Sequence, residues 1–321
     1  HALDLDDPSL RAAFDQRAGD PTFQSGSVRH ADAVLSFVYK AAAEIGELGD
    51  NTRALRVAVA ADDLLRRAMA SPDARVTVLG HTRWASVGII SEPKTHPLNN
   101  DEVEQSPATG RSPYVVAALN GDVDNHADLR VAHELRIHPH ITTDAKVIPA
   151  LVSRHAAGGV DLVESFRRTV SAFEGSVAIG AISADRPGSM LLALSGSGQG
   201  LYVGLADDCY IVASEPYGVV EETDRYLRLD GEQGGEIVVL DAAAAGEVEG
   251  IQRMGYDGTE LPVSTSEITV AEVTTRDIDR GEAPHFLLKE IGEAPQSLHK
   301  TLRAKIVEDG AQLRASVGDR A

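Results

Sequence analysis

Apolar and polar residues change rhythm along this chain. Between Ala31 and Leu48 apolar positions return at helical intervals. A second helical pattern opens at Asn51 or Thr52. There Val57, Ala61, Leu64 and Ala68 fall at i, i+4, i+7 and i+11 and predict one apolar face. Ahead of both, residues 1–30 mix charge with Gly, Pro and Ser and read as loop, with a short helix from Pro8 to Phe14. Further on, short apolar runs bounded by Gly, Asp and Pro predict strands: RVTVLG, YVVAALNG, SVAIGAI, SMLLALSG, GLYVGL, CYIVAS, RYLRL and EIVVL. Two helical patterns interrupt them. One spans Thr143 to His155 and contains Pro149; the other spans Val160 to Phe173, with Leu162, Phe166 and Val170 on one side. Strands joined in succession by short turns pair antiparallel. Grouped strands and grouped helices predict an α+β layered domain, not an alternating doubly wound one. From about residue 246 the rhythm loosens. EAPHFLLKEIGEAPQSLHKTLRAKI predicts a helix, a break at proline and a second helix.

Composition narrows the function classes. The 321 residues are 43% hydrophobic, enough for one large domain or one domain with an extension. A formal net charge of −19 repels a phosphate backbone, which argues against nucleic acid as a partner. The sequence has no run of about 18 apolar residues, so no membrane span is expected. The opening HALDLDDPSL has neither the basic region nor the apolar core of a signal peptide. A single cysteine excludes an internal disulfide and suits a reducing, cytoplasmic setting.

Three features have bland readings that outweigh sharper ones. SGSGQGLYVG holds Gly196, Gly198 and Gly200, but a strand-like run follows where a dinucleotide fingerprint needs a helix, so a hairpin turn is expected. His133, His138 and His140 have no cysteine and no repeated helical spacing, so they read as a surface loop rather than a metal site. Cys209 lies in the alternating run CYIVAS and is expected to be a small, buried and inert hydrophobe.

Chemistry concentrates in three short stretches. They are His81-Thr82-Arg83-Trp84-Ala85-Ser86, Leu119-Asn120-Gly121 at the end of YVVAAL, and Thr142-Thr143-Asp144 at the start of a helix. Arg83 offers a planar fork that matches a carboxylate. Asp144 can accept from an ammonium group. The Asn120 amide and the Gly121 N–H can form an oxyanion hole. A carboxylate anchor, an ammonium anchor and an oxyanion hole further along fit attack on the side-chain carbonyl of glutamine or asparagine. The same residues also have structural readings: a surface ion pair at Arg83, a turn at Asn120-Gly121 and a helix cap at Asp144.

These stretches carry a resemblance. GHTRWASVG followed by SEPKTHP, then VVAALNGDVDNHADLR, TTDAKVIPALV, FEGSVAIGAI, YIVASEPYGVV and PHFLLKEIGEAPQSLHKTL, resemble in order the class II glutamine amidotransferase domain of glutamine–fructose-6-phosphate transaminases. The resemblance runs from about Glu44 to Ile306. It implies a four-layer αββα N-terminal-nucleophile hydrolase sandwich with largely antiparallel sheets. It further implies a glutaminase domain over residues 1–245 and a linker over 246–321 toward a sugar-phosphate isomerase domain. Under it, Arg83 holds the glutamine carboxylate, Trp84 closes over the substrate, Ser86 belongs to the same binding loop, Asp144 binds the α-amino group, and Asn120 and Gly121 form the oxyanion hole. The implied partners are glutamine and a sugar phosphate, in a cytoplasmic homo-oligomer with no metal or organic cofactor.

The chain also departs from the family pattern. The family begins with a cysteine whose thiol attacks glutamine and whose own α-amine acts as base; here His1 stands first, and Cys209 falls in a later strand. Leu119 and Val87 stand where the family has histidines, and Lys94 where it often has Asn. The expectation is therefore an incomplete glutaminase whose nucleophile and first strand lie upstream. Such a fragment is expected to be inactive by itself, with an unpaired sheet edge beside Tyr114 to Leu119. A glutamine-sensing module without a nucleophile, and a glutaminase serving another ammonia acceptor, remain as alternatives.

Overall fold

The computed structural model describes residues 8–18, 20–31, 34–42, 49–72, 74–82, 91–101, 113–232, 234–271, 283–302, 306–309 and 312–315. The chain divides into two compact units, His1–Ala271 and Glu272–Ala321.

In the first unit, a six-stranded sheet is built from β3 (Leu98–Asn99), β4 (Val115–Gly121), β5 (Val177–Ser183), β6 (Ser189–Ser195), β10 (Glu236–Asp241) and β11 (Ile251–Gly255). Its order is β11-β10-β6-β5-β4-β3. A four-stranded sheet contains β7 (Tyr202–Leu205), β8 (Tyr210–Ala213), β9 (Arg225–Arg228) and β12 (Thr269–Val270), in the order β12-β9-β7-β8. Every described pairing is antiparallel, as the short connections predicted.

The six-stranded sheet is buried on both faces. On one, Val115, Ala117, Leu119, Ile179, Ala181 and Ile237 pack against α5 (Val147–Ala157) and α6 (Leu162–Ser171), through Val147, Leu151, Phe166 and Val170. On the other, Ala178, Leu192, Leu194 and Val238 pack against Val203, Leu205 and Leu227 of the four-stranded sheet. This double burial explains why SMLLALS and EIVVLD are almost continuously apolar. A fully buried Phe or Leu here contributes about 1.5–3 kcal/mol. The result is an α+β sandwich, traced among the described residues as helices, sheet and sheet.

Helix α5 tolerates Pro149 because it is the third residue, within the first turn, where N–H groups have no intrahelical acceptor to lose. Helix α6 has the expected buried stripe, with Phe166 and Val170 both 0% exposed. Its N-cap is Asp161, whose carboxylate accepts from Val163 N–H at 2.8 Å.

Several expectations need correction. Ala31–Leu48 is not a helix in its described part. β1 (Val28–Ala31) and β2 (Val34–Phe37) form a hairpin instead. Val28, Leu35 and Phe37 pack with Phe14 of α1 (Pro8–Ala18) and with Leu64 of α3 (Asp63–Met69), so tertiary burial overrides the local periodicity. The predicted face through Val57, Ala61, Leu64 and Ala68 is split. α2 (Asp50–Ala61) ends at Asp62, which caps α3 by accepting from Leu65 N–H at 3.1 Å. Only Leu64 of that face is buried, while Val57 is 64% exposed.

RVTVLG takes no regular secondary structure and joins no ladder among the described residues. Its Leu79 lies over Gly180 of β5, where a Cβ would come within 3.2 Å of Leu79 Cδ1. The Gly196–Gly200 stretch is not a hairpin turn, because β6 and β7 belong to different sheets and it carries the chain between them. The first unit continues past residue 245. β11 satisfies the free edge of β10 through pairs from Glu236↔Gly255 to Leu240↔Ile251, and β12 pairs with β9. In the second unit, α7 (Phe286–Leu302) runs through Pro295 without a break. The loss of one backbone bond is local, and strong helix formers flank it. A hairpin of β13 (Ile306–Asp309) and β14 (Gln312–Ala315) follows.

Cys209 is exposed rather than buried. It sits in the turn before β8, where Ala206 N–H donates to Cys209 O at 3.1 Å, so it lies outside the apolar alternation. Partial desolvation, a hydrogen bond with Asp208 and the charges of Asp208 and Glu222 push its thiol pKa up. That is the reverse of an activated thiolate.

One surface clamp ties α6 to the end of β11. Arg167 Nε donates to Glu164 Oε2 at 2.7 Å and Arg167 Nη1 to Tyr256 O at 2.7 Å. Hydrogen bonds from Arg167, then Arg168, lower the Glu164 carboxyl from 4.5 to about 2. A depressed carboxyl stabilises the fold above its unfolded pKa, and that stability is lost as pH falls through its folded pKa. Glu164→Gln should therefore lower stability near pH 7 by about 1 kcal/mol or less after solvent screening. The gap to the parent protein should close between pH 4.5 and 2 in denaturant unfolding. A gap that is unchanged at pH 2 would remove the clamp from the account.

Candidate active site

The pleat of β4 decides what its last residues present. Val115, Ala117 and Leu119 face the helices, so Asn120 lies on the opposite face, and it is exposed. Gly121 follows with φ of +111°, and a Cβ there would overlap the Ser176 carbonyl oxygen. Only glycine fits this strand end.

Hydrogen-bond direction alternates with the pleat. On one side of β4, Ala184 N–H donates to Tyr114 O at 3.0 Å and Asp122 N–H to Ser176 O at 3.0 Å. The N–H groups of Val115 and Leu119 point the other way, toward β3, and so does that of Gly121. β3 pairs only through Leu98↔Ala117 and Asn99↔Val116. Side chains close the rest of the edge. Val115 N–H donates to Asn100 Oδ1 at 2.7 Å, and Leu119 N–H to His96 Nδ1 at 3.2 Å. The expected open edge from Tyr114 to Leu119 is therefore filled among the described residues. Past His96 the Gly121 N–H is directed outward, next to the exposed amide of Asn120.

Asp144 reaches the same strand end. It opens a 3-10 turn, Asp144–Lys146, that leads into α5. Its Oδ2 accepts from Val123 N–H at 2.9 Å, and its Oδ1 accepts from Thr143 Oγ1 at 3.1 Å. A partly buried carboxylate thus meets the chain two residues past Gly121. Together with the Asn120-Gly121 donors it can polarise a carbonyl, stabilise an oxyanion and hold a cation.

His96 is the site neighbour whose role the sequence left blank. It is buried, and its ring stacks on that of His81, with centroids 4.5 Å apart and planes 27° apart. Accepting at Nδ1 leaves the neutral imidazole's proton on Nε2. The two histidines that bracket the Arg83 stretch are therefore brought together, which no spacing rule announces. Arg83, Trp84 and Ser86, and with them Val87, lie outside the described residues. Leu119 is buried against the helices and contributes its N–H, not its side chain, to this region.

A buried polar net anchors the segment that carries His96. Asn100 Nδ2 donates to Ser153 Oγ at 2.9 Å, and Ser153 Oγ donates to Pro113 O at 2.8 Å. Thr22 Oγ1 donates to Asn99 Oδ1 at 3.2 Å. Lys146 Nζ donates to Asn99 O, and Arg29 pairs with Asp101. Burial pushes the Asp101 carboxyl up, against the opposing pull of Arg29 and Lys146. Further back, Lys40 Nζ donates to Glu92 O at 3.2 Å and Ser25 N–H to Glu92 Oε2 at 3.1 Å.

No protein-family profile matches the chain. It is similar to the glutamine–fructose-6-phosphate aminotransferase (isomerizing) of Streptococcus mutans, at 29% identity over 234 residues, 73% of this chain and 35% of that protein. It is similar to the enzyme of the same name from Bacillus cereus, at 30% identity over 232 residues, 72% of this chain and 35% of that protein. Among solved structures, a glutamine phosphoribosylpyrophosphate amidotransferase from B. subtilis superposes with a TM-score of 0.41 at 23% identity, over 55% of this chain and 34% of that one. So partial a superposition adds nothing to the fold described above. The chain spans about a third of the length of the curated relatives it matches. No described helix is long and apolar enough to cross a membrane. Over the third of their length that it matches, the chain is a homologue of the glutamine–fructose-6-phosphate aminotransferases, and its sequence resembles that of a class II glutamine amidotransferase domain.

Proposed function

We propose that the first unit is the glutamine-hydrolysing domain of an amidotransferase that delivers ammonia to a sugar phosphate. With fructose 6-phosphate as acceptor the products are glucosamine 6-phosphate and glutamate. The observation that carries this reading is the grouping at the end of β4: the exposed Asn120 amide, the outward Gly121 N–H and the Asp144 carboxylate held by Val123 N–H. In the reading, Asp144 receives the glutamine α-ammonium. Asn120 and Gly121 donate to the side-chain carbonyl oxygen as it becomes an oxyanion. Arg83 pairs with the α-carboxylate, and Trp84 and Ser86 complete the loop that keeps water from the acyl-enzyme. The second unit then leads toward a sugar-phosphate isomerase domain.

The reading requires a thiolate beside a free α-amine. Cys209 does not supply it, because it sits on the turn before β8 with its thiol pKa raised. The rival reading is a glutamine-binding regulatory module. Glutamate release from glutamine by the full-length protein, with and without fructose 6-phosphate, separates the two. Binding without release would favour the regulatory module.

Two substitutions in the full-length protein, with its upstream nucleophile present, test the roles. Arg83→Ala should raise the glutamine KM at least about tenfold, since a desolvated bidentate pair contributes a few kcal/mol. An unaltered KM would take Arg83 out of the site. Asn120→Ala should lower kcat by roughly a hundredfold while glutamine still binds, because an oxyanion donor acts mainly in the transition state. Normal turnover would leave Asn120-Gly121 as a turn and nothing more.

A further inference from the structure

Lys146 is 1% exposed, among the largest fully buried side chains described. A buried ammonium is costly to desolvate, and an apolar residue of similar volume would often be neutral or more stabilising. Its position explains what it does. It is the last residue of the turn that begins with Asp144. Its Nζ reaches across to Asn99 O, and its charge is felt by the Asp101 carboxylate. Asn99 pairs with Val116 of β4, and His96, three residues earlier, receives the Leu119 N–H beside Asn120. One buried side chain therefore spans the two supports of the candidate site: the turn with the carboxylate and the edge with the oxyanion donors.

Resting on the proposed glutaminase reading, we infer that Lys146 is a positioning residue for the amino end of the substrate. Its tether to Asn99 O sets where the Asp144 turn stands relative to the end of β4. Lys146 touches no reacting atom. Its removal lets the Asp144 turn drift from the donors, which weakens the grip on the α-ammonium. The polarisation of the side-chain carbonyl is left nearly as it was.

The test compares glutamine with 4-carbamoylbutanoate, the same amide without the α-amino group, as substrates of the full-length protein. In Lys146→Met the glutamine KM should rise about tenfold, with kcat within about twofold, while the KM for 4-carbamoylbutanoate stays unchanged. Lys146→Gln, which keeps a donor for Asn99 O, should recover part of the loss. It also carries the same comparison if the methionine variant fails to fold. An equal rise for both substrates would mean a general structural role and would overturn the inference. So would an unchanged glutamine KM in Lys146→Met when Asp144→Asn raises it. A parent protein that handles both substrates alike, or does not act on glutamine, would overturn the underlying reading and this inference with it.

Discussion

The segment from Glu92 to Asp101 is fixed by buried and part-buried polar contacts rather than by a long ladder, and the geometry of the candidate site depends on that. Only Leu98 and Asn99 pair as strand. The rest is held through the side chains of Asn99 and Asn100 within it and by Ser25, Arg29, Lys40 and Lys146 from elsewhere in the chain. Each such bond contributes about 0.5–1.5 kcal/mol net, but a buried polar group left without its partner costs about 1–3 kcal/mol. The net is therefore cooperative in its consequences. Loosening one member leaves its partner unsatisfied.

The sandwich explains why reactive groups gather where they do. Across most of β4 the backbone is satisfied on both sides and both faces are buried, so nothing there is free to meet a ligand. At Asn120 and Gly121 these constraints end together. β5 begins at Val177, just past the Ser176 carbonyl that takes Asp122 N–H, and the side-chain closure of the opposite edge stops at His96. Donors that would be spent inside a sheet are released at its end. The positive φ of Gly121 then turns the chain so that Val123 N–H meets Asp144 two residues later.

Charge sorts the remaining groups. Cys209 sits beside Asp208 and Glu222, which disfavour a thiolate. Lys146 and Arg29 sit beside Asp101 inside the protein, where burial and opposite charge oppose each other. The positive charges near β3 and the negative ones near β8 are thus placed where they act on position and on reactivity, within a chain whose net charge is strongly negative.

What the sequence by itself determined was residue type and local geometry. Seven of its eight strand runs became strands, those of the six-stranded sheet with two faces to bury, and Phe166 and Val170 of α6 lie in the core as their spacing implied. Asn120-Gly121 was legible as a strand end, since a Gly turns the chain there for local reasons. Local rules failed where a distant contact outweighed them. Val28 to Phe37 became a hairpin because Phe14 and Leu64 cover it, RVTVLG found no described ladder, and Cys209 fell in a turn. The stacking of His81 on His96, the bond from Leu119 N–H to His96 and the reach of Lys146 to Asn99 were decided only by tertiary structure. Side-chain contacts between residues 15, 23 and 47 positions apart follow no period, so only the packed fold can bring those partners together.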